Sequence, residues 1–239
     1  MAAAGAALSL ALAACSNLSD NSEGIATLEV RLPVNFYLEQ GRSLTLTAVA
    51  RNASGDSVGA TIVWRTPDTT LAVDSTSGTI TGLYSTGKGR VQVAVVGSDA
   101  FVTGLENLAF TLTGPADTLF LTGADSLDAA TDSLGTQITG LVLQGGTPLV
   151  GTVGRPVSFT IVDPAPVDSP AVVLTSSFSL HVRDSTFTDA NGLAGPLTVL
   201  AFRGKRAPDR VVIRADALRA SGDLIPGSGH LFVVRFLHQ

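Results

Sequence analysis

The chain has 239 residues, a formal net charge of −5, 45% hydrophobic residues and 15% charged ones. A mildly acidic balance of this kind excludes a general nucleic-acid binder, which shows a basic field. A single cysteine, Cys15, excludes a disulfide framework and a thiolate metal site, so packing alone must hold the core.

Composition argues for an all-β fold. Val and Thr recur throughout, and their branched Cβ atoms favour the pleated surface of a sheet. Residues that mark surface helices are scarce: the only lysines are Lys88 and Lys205, and there are four glutamates. Most aspartates sit beside Gly, Ser, Thr or Pro, where the carboxylate can bond a turn backbone.

In chain order, residues 1–14 read MAAAGAALSLALAA. They are too few to span a bilayer, which takes about 20 apolar residues. They match the apolar region of a secretory signal, roughly 7–15 residues before a small-residue cleavage site. The first basic residue is Arg31, so the basic start usual in such a signal is missing, as it would be if the true start lay upstream.

The run Leu12-Ala13-Ala14-Cys15 resembles the lipobox of bacterial lipoproteins. The resemblance implies removal of residues 1–14, acylation of Cys15 and a membrane as partner. Ser16, where an Asp would retain the protein at the inner membrane, points to the outer membrane. The plainer alternative is an ordinary thiol behind a frayed helix of a cytosolic protein. Residues 15–25 read as a tether; its polar stretch, residues 16–24, reaches ~30 Å at ~3.3–3.6 Å per residue.

A first domain is expected over residues 26–113. From Ser43 to Ala50 the residues Leu44, Leu46, Ala48 and Ala50 share one face. Further strands are expected at Thr61–Arg65, Leu71–Asp74, Thr79–Thr81, Arg90–Val96 and from Leu108, with turns at spacings that suggest a sandwich or barrel. The ordered set Gly41, Leu44 to Ala50, Val63-Trp64, Thr66-Pro67-Asp68, Leu71 to Asp74, Ser77 to Gly82 and Gly87 to Val95 resembles the bacterial Ig-like group 2 family. That family implies a β-sandwich.

Gly114-Pro115 reads as the boundary, and a second domain is expected over residues 116–239. Residues 116–144 are strand-like. Strands follow at Val157–Val162, Val172–Leu174, Phe178–Val182, Leu197–Phe202, Arg210–Ala215 and His230–Leu237, with a proline-rich loop over Asp163–Pro170. Thr188, Asp189, Gly192 and Ala194, then Val211 to Ala215, are similar to the invasin and intimin type, bacterial Ig-like group 1. The expected fold is therefore two tandem Ig-like β-sandwiches.

No chemistry-bearing pattern outweighs a structural one. Trp64 shares a face with Ile62 and reads as the buried tryptophan of an Ig-type sandwich rather than a carbohydrate platform. His181, His230 and His238 lack metal-ligand spacing. Gly227-Ser228-Gly229-His230 is not a nucleophile elbow. Asp184, Asp189 and Asn191, and Asp125, Asp128 and Asp132, lie close enough in sequence to raise calcium, but read as turns. Arg203, Lys205, Arg206, Arg210 and Arg214 form the basic cluster, read as a solvated hairpin, and Asn52-Ala53-Ser54 reads as a turn. No catalytic residue, metal or cofactor is expected, and the ligand-binding residues are unknown.

The expected function is that of a non-enzymatic cell-envelope lipoprotein, with the Ig-like domains as adhesive or spacer module. Two alternatives stay open: a structural subunit of an envelope assembly, and a carbohydrate-binding accessory protein. The protein or glycan partner is not legible.

Overall fold

The computed structural model describes residues 24–96, 101–130, 135–165, 171–176, 181–201 and 206–237. These residues hold no helix. The lipobox residues Leu12, Ala13, Ala14 and Cys15 lie outside them, as does His238.

Buried apolar residues gather in two clusters, one drawn from Ile25 to Leu112 and one from Ala116 to Phe236. Around the first lie β1 (Ile25–Arg31), β2 (Tyr37–Glu39), β3 (Ser43–Thr45), β4 (Thr47–Asn52), β5 (Thr61–Arg65), β6 (Leu71–Val73), β7 (Thr79–Gly82), β8 (Lys88–Val96) and β9 (Phe101–Thr113). One sheet runs β2-β9-β8-β5; the facing layer is made by β1-β4 and β3-β7-β6. The side-chain period of two explains the packing. On β8 Val91, Val93 and Val95 are buried, while Arg90, on the opposite face, is exposed.

Around the second cluster lie β10 (Thr118–Leu121), β11 (Ser126–Ala130), β12 (Thr136–Ile138), β13 (Leu141–Gly145), β14 (Val150–Gly151), β15 (Pro156–Asp163), β16 (Val172–Thr175), β17 (Arg183–Phe187), β18 (Leu197–Ala201), β19 (Arg210–Asp216) and β20 (His230–Leu237). A five-stranded sheet runs β11-β20-β19-β15-β17, opposed by β10-β13-β14 and β12-β18-β16. Phe159, Ile213 and Phe232 are among its fully buried side chains. The chain is thus all-β, with two β-sandwiches in tandem.

Three expectations need correction or completion. The strand expected over Ser43–Ala50 is two strands. Leu46 leaves the ladder and donates its N–H to the Gly78 carbonyl at 3.0 Å, so the chain passes from pairing with β7 to pairing with β1. Gly78 allows this: its φ is +71°, and a Cβ there would sit 2.7 Å from both Leu46 O and Trp64 Nε1. The strand expected over Phe178–Val182 falls partly outside the described residues. His181 makes only an isolated bridge to Leu174, and the regular strand is β17. Finally, β1 was not legible by period-2 counting, because a register shift between Ile25 and Thr27 breaks the alternation.

Candidate functional site: the joint between the sandwiches

The last residue of β2 is Glu39, and its side chain is 2% exposed. Burying a lone carboxylate is costly, so it must find cations and donors. Two buried or half-buried cations come from the second sandwich, and Arg42 of the first, itself exposed, stands 4.0 Å from Glu39 Oε2. Arg219, in the loop between β19 and β20, donates from Nη1 to both Glu39 carboxylate oxygens at 3.1 Å and to the Ala116 carbonyl at 3.0 Å. Arg155, just before β15 and 1% exposed, places Nη2 3.5 Å from Glu39 Oε1. Glu39 Oε2 also accepts the Ala116 N–H at 3.2 Å. Bonds with an ionised partner are roughly twice as strong as neutral ones.

Arg155 reaches further. Its Nη1 donates to Tyr37 O at 3.0 Å, its Nη2 donates to Leu218 O at 2.7 Å, and its guanidinium lies 5.7 Å from the Tyr37 ring centre. Burial pushes its pKa below the usual arginine value; Glu39 opposes that shift and Arg219 adds to it.

The stretch before β2 is stitched to the same loop. Asn35 Nδ2 donates to Leu218 O at 3.1 Å and Arg219 O at 3.0 Å, and Val34 N–H donates to Ala220 O at 3.2 Å. Outside this buried centre, Arg42 donates to Asp117 at 3.3 Å. Asp117 in turn accepts the Gly146 N–H at 2.9 Å.

The linker is held from the other side. A Cβ on Gly145 would fall 2.2 Å from Pro115 O, so glycine lets β13 lie against the linker backbone. Thr152 Oγ1 donates to Pro115 O. Thr188 bonds Arg155 through both its N–H and its hydroxyl, and Phe187 meets Tyr37 with ring centres 6.3 Å apart. Three connections of the second sandwich, residues 146–155, 188–196 and 217–229, therefore converge on the joint.

The residues singled out from sequence do not converge. Trp64 is 3% exposed and belongs to the first core. His181 is exposed, whereas the His230 ring meets Phe232 at a tilt of 59°, centres 5.6 Å apart. Ser228 Oγ bonds both N–H and C=O of Ala217, which makes it a turn residue. Asp184 accepts from Ser176 N and Ser185 N, and Asp189 accepts from Asn191 N and Leu193 N. Asp125 and Asp128 flank and enter β11, and Asp132 lies outside the described residues. No three His, Asp or Glu side chains gather for a metal among the described residues. In the basic cluster Arg214 pairs with Asp216 at 2.8 Å and Arg210 with Asp163 at 3.6 Å. Arg206 is exposed, and Arg203 and Lys205 lie outside the described residues. Asn52 accepts from Ser54 N and Asp56 N, as a turn residue does. An apolar groove of about 310 Å³ lies between β1 and β9, lined by Leu28, Val30, Leu32, Phe36 and Leu108.

Sequence reasoning missed Glu39, Arg155 and Arg219. One signal was present. Arg155 is the only charged residue between Asp132 and Asp163, and a lone charge in an apolar run points to a buried partner.

No family model and no curated protein matches the chain. Among solved structures it is similar to domains 4 and 5 of the S-layer protein SbsC, at 13% identity and TM-score 0.29 over 90% of this chain and 99% of that one. It is similar to the D00–D0 domain of intimin, at 18% identity and TM-score 0.28 over 86% and 98%. It is also similar to the fibronectin(III)-like modules of Clostridium thermocellum CbhA, at 14% identity and TM-score 0.36 over 89% and 94%. Likeness this distant carries no function; the sandwich fold rests on the chain's own strand pairing.

Proposed function

We propose that this chain is a non-enzymatic, lipid-anchored module of a bacterial cell envelope that serves as a stiff spacer. The supporting observation is the buried joint. A flexible linker between sandwiches would leave Glu39 and Arg155 in water; here each is almost fully buried and bonded across the boundary. Removing one partner of such a buried pair costs about 3–5 kcal/mol, so separation of the two sandwiches is disfavoured. An arm that holds its angle suits a distance-setting part better than a hinge does.

An adhesive role would have to use the ends away from the joint, because the three connections at the near end of the second sandwich are already engaged. Burial of Trp64 takes the tryptophan out of any carbohydrate platform, which among the described residues leaves Tyr84 and Phe187 as the exposed aromatics such a role would use. The anchor rests on the lipobox resemblance alone, with Cys15 as the acylated residue. Metabolic labelling with a fatty-acid analogue tests it: the wild type takes up label and Cys15→Ala does not. Equal labelling of both removes the anchor.

A further inference from the structure

Among the described residues each sandwich contains one parallel pair of strands. In the first, β2 runs beside β9 through Tyr37↔Thr111, Leu38↔Leu112 and Glu39↔Thr113. Thr111 N–H donating to Phe36 O at 2.8 Å and Gln40 N–H donating to Thr113 O at 2.9 Å extend it. In the second, β11 runs beside β20 over five pairs, from Ser126↔Val233 to Ala130↔Leu237. In both, one strand comes early in its sandwich and the other is its last. Tension between the two ends of a sandwich therefore tends to slide the pair, which strains all its hydrogen bonds together.

On strand pairing alone the first sandwich is the weaker, with three registered pairs against five. The joint changes this. Tension from the second sandwich arrives at β9 through residues 114–116. It also arrives at β2, because Tyr37 O is held by Arg155 and the Glu39 carboxylate by Arg155 and Arg219. Val34 and Asn35, just upstream, are held by residues 218–220. Both strands of the pair are then drawn the same way, and they do not slide past each other until the cross-boundary bonds break.

We infer that the Glu39–Arg155–Arg219 cluster is a tension latch: it passes a pulling force into the first sandwich through two strands instead of one. The chain thereby acts as a tether that bears pulling force as well as a spacer. This rests on the stiff-arm reading but not on the lipid anchor.

Force spectroscopy tests it by pulling geometry. Handles on Cys15 and at Gln239→Cys send the load through the joint. Handles on Cys15 and at Gly114→Cys, in an otherwise identical full chain, apply it at the end of β9 and take the second sandwich out of the direct load path; a Cβ at Gly114 meets nothing within 4 Å. At one fixed force the first sandwich should last at least about tenfold longer in the first geometry, the factor that one hydrogen bond to a charged group is worth. Arg219→Ala should shrink that difference, since Arg155 and the backbone bonds of residues 218–220 still hold β2, and leave the lifetime of the second sandwich unchanged. Equal lifetimes in the two wild-type geometries overturn the latch, whether or not Arg219→Ala folds. If the arm is nevertheless rigid in the absence of force, the stiff-arm reading survives and only the latch is lost.

Discussion

Arg219 and Glu39 are 180 residues apart in sequence, yet one guanidinium nitrogen of Arg219 lies 3.1 Å from each carboxylate oxygen of Glu39. That contact crosses from one hydrophobic core to the other. With Arg155 it makes a buried centre of two cations and one anion, with the exposed Arg42 4.0 Å from Glu39 at its edge, and the Arg155 and Arg219 guanidinium groups also donate to the carbonyls of Tyr37, Ala116 and Leu218. Desolvation offsets much of the attraction in a buried ionic group of this kind, but removing one partner leaves an uncompensated buried charge.

Glu39→Gln should therefore be costly. It leaves Arg155 buried beside a neutral amide, and the expected loss is about 3–5 kcal/mol. Urea unfolding followed by Trp64 fluorescence reads it. Replacing all three charges with apolar side chains of similar size should cost less than the single change, because no uncompensated charge is then left behind.

Gly145→Ala probes the joint without touching a charge. The added Cβ would sit 2.2 Å from Pro115 O and 2.8 Å from Ala116 N, so the linker must move. Since Ala116 supplies both an N–H to Glu39 and a carbonyl to Arg219, the cluster should loosen with it. The expected readout is faster hydrogen exchange at Ala116 and at residues 218–220, with the β15 and β19 amides unchanged.

The first core should report its own integrity. Trp64 is 3% exposed, so native fluorescence should be that of an indole shielded from water. Gly78→Ala should destabilise that sandwich by about 1–3 kcal/mol, from left-handed backbone strain and the clash with Trp64. Urea unfolding followed by Trp64 fluorescence should show the midpoint of the first sandwich shifted down.

Acid acts at Asp68. Its side chain accepts from Arg90 Nε and Nη2 and from the Arg90 N–H, which holds its pKa below the ordinary 3.8. Asp74 is lowered likewise, by the N–H groups of Ser77 and Thr76. As pH falls, the unfolded chain takes up these protons first. Their contribution is therefore present above pH 3.8 and lost as pH drops through the lowered native values. Carbon-detected NMR titration should place the Asp68 midpoint below 3.8, and Arg90→Ala should raise it.

Much of the fold could be read from alternation. β8, β15, β19 and β20 each show a face of buried Val, Ile, Phe or Ala that period-2 counting finds, and on β5 buried Trp64 shares its face with half-buried Ile62. The break at Leu46 could not be read, because apolar residues continue through it and only the bond to Gly78 divides the strand. Nor could β2, which is three residues long and takes its pairing from β9, more than seventy residues away. The joint was hidden for the same reason. Glu39 lies 116 residues from Arg155 and 180 from Arg219, and local sequence shows only a charge in an apolar setting, as at Arg155.

Residual dipolar couplings measured on both sandwiches of the intact chain test the stiff arm most directly. One alignment tensor of equal magnitude and orientation should fit the amides of β8 and β9 together with those of β15 and β19. Two tensors of clearly different magnitude would show the sandwiches reorienting independently, and would contradict a joint closed by Glu39, Arg155 and Arg219.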